Sequence, residues 1–81
     1  MANDVSYNRI SFLGERIKLG IANKQEKDEY MQLLYQSKII PQQQYQNYIS
    51  KNNTTDAEEV LKAALIIGAI ALVLHLLFNS K

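Results

Sequence analysis

The last quarter of the chain constrains everything before it. From Ala63 to Phe78 it reads AALIIGAIALVLHLLF, with His75 as the one polar residue in the run. Extended back through Val60 and Leu61, the stretch holds about 19 residues with one lysine, Lys62, near its start. A helix needs about 20 apolar residues to cross a hydrocarbon core, so the segment has the length and composition of a transmembrane helix. A soluble chain would instead have to surround a helix that is apolar on all sides. The whole sequence is 81 residues, which leaves about 50 for a headpiece once the segment and its linker are set aside. A unit of that size buries little apolar surface and usually relies on a staple, a metal or a partner.

Composition narrows the chemistry. Cysteine is absent, so disulfides and thiolate metal sites are excluded, and a single histidine excludes a His-rich metal site. The net charge of +1 gives no field-based argument for nucleic acid or an acidic substrate. Tryptophan, a common interfacial anchor, is missing. The opening MANDVSYNRISF lacks the basic start and apolar core of a signal peptide. The C-terminal segment is therefore the expected targeting element, inserted after translation ends. Lys51 and Lys62 flank its N-terminal side against Lys81 beyond it. The positive-inside rule then places the headpiece in the cytoplasm, although Asp56, Glu58 and Glu59 lie on the same side.

The headpiece, residues 1–50, reads as three short amphipathic helices. Ile10, Leu13 and Ile17 recur at helical spacing beside Phe12 and mark a first helix over residues 5–19. Gly14 inside it costs roughly 1 kcal/mol relative to alanine and marks a candidate close contact. Gly20 suits the C-terminal stop. Asn23 and Glu26 have capping-box spacing at the start of a second helix, whose stripe is Tyr30, Leu33 and Leu34, widened by Met31 and Tyr35. The residue before a proline avoids the helical region, which puts the turn near Ile40. Pro41 suits the first turn of a third helix reaching about Ser50, with Tyr45, Tyr48 and Ile49 on one face. Residues 51–55, KNNTT, form a polar linker, and the anchor occupies 56–81. Thr55 and Glu58 repeat the capping-box spacing, and Asp56, Glu58 and Glu59 favour a helix N-terminus.

Residues 30–50, YMQLLYQSKIIPQQQYQNYIS, carry a recognisable pattern. Leu33 and Leu34 precede a turn, paired Ile39 and Ile40, Pro41, the run Gln42 to Gln44, and Tyr45. This resembles the SHOCT module, a short helical hairpin near the termini of many bacterial proteins. That family shows a leucine-rich helix, a turn, paired isoleucines, a Ser/Thr/Pro cap, a Glu/Gln run and an aromatic residue. Here Lys38 stands where the family usually has glycine, and glutamines replace the usual glutamates. The resemblance covers about a quarter of the chain and implies oligomerisation or tethering. Physical reasoning points the same way, because the apolar faces of two short helices exceed what they bury between themselves. Leu33, Leu34, Ile39, Ile40, Tyr45 and Tyr48 form the candidate headpiece interface.

A second pattern runs through the anchor. Ala57, Leu61, Ala64, Gly68, Ala71 and His75 recur at steps of three or four and share one helix face. Ala64 and Gly68 make a small-xxx-small pair that lets helix backbones approach closely. This face is the candidate helix–helix interface, in an oligomer or with another membrane protein; the competing reading is a lipid-facing anchor that happens to be alanine-rich. His75 lies about one turn from the end of the span. Interfacial snorkelling, an interhelical hydrogen bond and a proton-sensing role all fit it, in decreasing order.

Nothing else resembles chemistry. Glu26, Asp28 and Glu29 sit in the first turns of a helix, where negative charge favours the dipole. Gly14 and Gly20 lack the strand and lysine of a phosphate loop. The five tyrosines and two phenylalanines are interleaved with Gln and Asn rather than with the basic residues single-stranded nucleic acid binding needs. The expectation is an all-α, single-pass membrane protein with no enzymatic site, cofactor, metal, nucleic acid or small-molecule substrate. Its role would be structural or adaptor-like, with the lipid bilayer and a protein partner or second copy as its contacts. Three alternatives stand beside it: a minor membrane subunit of a respiratory-type complex or lipid-containing virion, a pore-forming or lysis-type protein, and a soluble four-helix bundle.

Overall fold

The computed structural model describes residues 2–51 and 55–79, with side chains over 7–51 and 57–78. Four helices follow one another: α1 (Ala2–Lys18), α2 (Lys24–Gln36), α3 (Gln42–Ser50) and α4 (Thr55–Asn79). No strand occurs among the described residues. Linker residues 52–54, Lys81 and the side chains of Thr55 and Asp56 lie outside the described set. At 1.5 Å per residue, the 25 residues of α4 span about 37 Å. They set the long axis of a body measuring 42 × 26 × 19 Å.

Local signals explain where the helices begin and end. The α1 backbone turns helical at Ala2, upstream of the apolar spacing that marks it, because that spacing reports only the part of a helix facing a core. Gly20 adopts φ +76°. Its N–H donates to Ile17 O at 3.0 Å, and the N–H of Ile21 donates to Arg16 O at 3.1 Å, a Schellman closure of α1. At the start of α2 the Asn23 side chain accepts from the Glu26 N–H at 2.8 Å, and Glu26 accepts from the Asn23 N–H at 3.1 Å. Both halves of the capping box are therefore made. The end of α2 repeats the Schellman pattern with a different residue. Lys38 takes φ 62° and donates to Tyr35 O at 3.0 Å, while Ile39 donates to Leu34 O at 2.9 Å. Pro41 caps α3 in an extended conformation.

The core is small and draws on all four helices. Ile10 and Leu13 from α1 meet Tyr30, Met31 and Leu34 from α2, Ile40 from the turn, Tyr48 from α3, and Ala57, Leu61 and Ala64 from α4. Ion pairs brace the outer surface. Arg9 holds Glu29 through Nε–Oε2 at 2.8 Å and Nη2–Oε1 at 2.9 Å. Arg16 Nε lies 2.9 Å from Glu26 Oε2, and Lys27 Nζ lies 3.3 Å from Glu58 Oε2 on α4.

Candidate functional site

The site is the face of α4, and the chain's own helices lie against it. Ala57, Leu61 and Ala64 are 5%, 1% and 0% exposed. Gly68 is buried, and Ala71 and His75 are half-buried. A small residue every third or fourth position leaves a shallow furrow along the helix, and a furrow accepts a bulky ridge from a neighbour. The ridge here is Tyr30 of α2.

Tyr30 sits between two glycines. A Cβ placed on Gly68 would overlap the Tyr30 hydroxyl, and one placed on Gly14 of α1 would lie 3.3 Å from Tyr30 Cε1. The ring is thus held between α1 and α4 at points where neither helix carries a side chain. Glycine in a helix interior costs about 1 kcal/mol. Here the cost is offset by admitting the buried Tyr30 ring, since an aromatic side chain buries about 150–250 Å². Burial pushes the Tyr30 phenol up to about 12, because a phenolate there would lose its water.

Further along, the Tyr7 ring of α1 stacks on His75, with centroids 3.9 Å apart and planes 6° from parallel. His75 therefore meets a ring of the same chain near the far end of α4. Beside the stack a groove of about 550 Å³ opens, with Lys38, Ile39, Ile70, Leu74 and Phe78 on its walls. At the other end of the bundle, the Tyr48 hydroxyl donates to Asp28 Oδ1 at 2.7 Å. Burial first, and then the Asp28 carboxylate, push the Tyr48 phenol well up. The Arg9 guanidinium holds Glu29 below the usual carboxylate range. Glu26 is lowered first by the Asn23 N–H and then by Arg16.

The residues of the candidate headpiece interface divide in two. Leu34, Ile40 and Tyr48 are buried in the intramolecular core. Leu33, Ile39 and Tyr45 are half-buried against it, and Tyr45 stacks on Tyr35 with centroids 4.8 Å apart. Sequence reasoning puts Tyr30 on a stripe and Gly14 at a close contact without joining them, and it gives Tyr7 no role. The signal that could join them is the recurrence of glycine on two separate helices with a large aromatic residue on a third.

The outer face of α4 differs in kind. Ile66, Ile70, Val73, Leu74, Leu76, Leu77 and Phe78 are all exposed. Among the described residues, α4 is the one helix long and apolar enough to cross a membrane, and an 18-residue stretch within Ala57–Phe78 reaches a mean hydropathy of 2.5. No group of three or more His, Asp or Glu side chains converges as a metal site requires, again among the described residues. In comparisons with known proteins, no family model, no curated protein and no solved structure matches this chain.

Proposed function

We propose that this chain is a small single-pass membrane protein with a structural or adaptor role. In this reading α4 is the span, and the three amphipathic helices ahead of it form a cytoplasmic headpiece that holds a protein partner or a second copy. One observation carries the reading. Only 17% of the apolar window of α4 is buried within the chain, whereas the core helix of a soluble protein is mostly covered by its neighbours. Contiguous apolar surface of this extent on a small protein marks a lipid or protein contact. The SHOCT-like hairpin adds weight to tethering. Lys38, at the position where that family usually has glycine, adopts the left-handed backbone that favours glycine.

A soluble bundle is the second reading, favoured by the burial of Ala57, Leu61, Ala64 and Gly68 under the headpiece. Fractionation of expressed protein at neutral pH separates the two. The expected result is a protein that pellets with membranes, resists a high-salt wash and enters solution only with detergent. Recovery in the detergent-free supernatant would decide for the bundle.

A further inference from the structure

The polar headpiece and the apolar span compete for the same helix. Headpiece contacts on α4 run from the Lys27–Glu58 ion pair to the Tyr7–His75 stack. Seventeen residues of helix at 1.5 Å each make that about 26 Å, against a hydrocarbon core of about 30 Å. If α4 crossed a bilayer in this arrangement, the headpiece would lie inside the hydrocarbon beside it. Arg9, Glu15 and Lys18 of α1 and Glu29 of α2 would enter with it, all exposed or half-exposed on the outer surface. Arg9 pairs with Glu29 and Lys18 with Glu15, but both pairs lie on the outside of the bundle, whereas charges at bilayer depth are expensive and almost always face the bundle interior or a water-filled cavity.

Resting on the membrane reading above, we infer that the headpiece is a removable cover and that the closed four-helix bundle is the form that precedes insertion. Closed, it shields the furrow of α4 while the outer face, from Ile66 to Phe78, stays free to meet lipid. Crossing the bilayer requires α1 and α2 to leave α4, which withdraws Tyr30 from between Gly14 and Gly68 and Tyr7 from His75. The glycine clasp suits a reversible contact. It gains its energy from one ring seated between two bare backbones, and no polar bond between Tyr30 and either glycine has to be broken.

The absence of cysteine makes the test clean. The full chain, with a C-terminal peptide tag and the pair Tyr7→Cys and His75→Cys, is joined by a short reducible bis-maleimide. It is added to phosphatidylcholine–phosphatidylglycerol vesicles and treated with external protease at neutral pH. Spanning is read as a tag fragment protected until detergent is added. The control is the same variant with both cysteines capped by a monofunctional maleimide. The cover predicts at least a tenfold smaller protected fraction for the linked protein than for the capped one, with recovery on reduction. Equal protection of linked and capped protein would overturn the cover and leave the membrane reading standing. Failure of wild type and every variant to float with vesicles would overturn both. A second arm needs no crosslink. Gly68→Ala sets a methyl group against the Tyr30 hydroxyl and loosens the clasp, so its protected fraction should rise several-fold over wild type. An unchanged or smaller fraction counts against the cover.

Discussion

The two halves of α4 differ in charge and in burial: Glu58, Glu59 and Lys62 all lie between Ala57 and Gly68, and no Asp, Glu, Lys or Arg lies between Ala69 and Phe78. Between Ala57 and Gly68 the inner face is Ala, Leu, Ala and Gly, and all four positions are buried. Between Ala69 and Phe78 the large residues Ile70, Val73, Leu74, Leu76, Leu77 and Phe78 remain exposed. Hydropathy does not explain the burial, since the covered half, with Glu58, Glu59 and Lys62, is the less apolar of the two. Length does, because α2 and α3 have 13 and 9 residues, about 20 Å and 14 Å, against about 37 Å for α4. In the distal half Tyr7 of α1 meets His75, and the turn after α2 comes no closer than the far wall of the groove, at Lys38 and Ile39. The comparison teaches that burial in this chain follows the reach of neighbouring helices and the depth of the furrow, not the apolarity of the segment.

The largest expected effect contrasts a leucine from each half. Leu61 is 1% exposed, so Leu61→Ala should lower unfolding stability by about 2–5 kcal/mol through lost transfer energy and a residual cavity. Leu77 is 64% exposed, and Leu77→Ala should change stability by less than about 0.5 kcal/mol. Urea unfolding of the two variants measures both; equal losses would break the contrast. Gly68→Ala should come next, at about 1–3 kcal/mol, because the added methyl overpacks a filled site. The pair Gly68→Ala with Tyr30→Phe should recover most of that loss, since the hydroxyl is the atom a Cβ meets first. A double-mutant cycle reads the coupling directly, and strict additivity would show that Tyr30 does not fill the furrow of α4.

Alkali should act on the covered half alone. The Tyr30 phenol titrates near 12 in the fold, against 10.0 for an unperturbed tyrosine. Its contribution to stability is therefore complete below about pH 10. Above that the unfolded chain ionises first, and stability falls until the folded-state value is passed near 12. Tyr48 is raised as well, by burial and by Asp28, and adds in the same direction. Thermal melts from pH 9 to 12 should show the loss, and Tyr30→Phe should flatten part of it. The smallest effect lies in the headpiece. Lys38→Gly should raise stability by about 0.5–1 kcal/mol, because the position already holds a left-handed backbone that costs a non-glycine residue about 1–2 kcal/mol. An unchanged midpoint in the same urea titration would mean that the lysine side chain compensates by other contacts.

Much of the architecture is legible in the order of residues. The Asn23–Glu26 capping box, the stop at Gly20 and the turn at Ile39–Pro41 are all local signals, set within a few residues by cap chemistry and proline sterics. The apolar run ending at Phe78 announces its own length. The face of Ala57, Leu61, Ala64, Gly68, Ala71 and His75 follows from helical periodicity alone, which identifies a contact surface without naming what touches it. The occupant is invisible for a physical reason. Tyr30 and Gly68 are 38 positions apart and Tyr7 and His75 are 68 apart, so no pattern within one helix reports their approach.

The amino-acid order by itself determined four helices, their stops and the apolar length of the last, because caps, turns and hydropathy act over neighbouring residues. Only the tertiary structure decided that Tyr30 enters between Gly14 and Gly68, that Tyr7 lies on His75, and that the inner face of α4 is buried as far as Gly68 but only half-buried beyond it. Those outcomes depend on how far each short helix extends along a long one and on which side chains are small enough to let it come close.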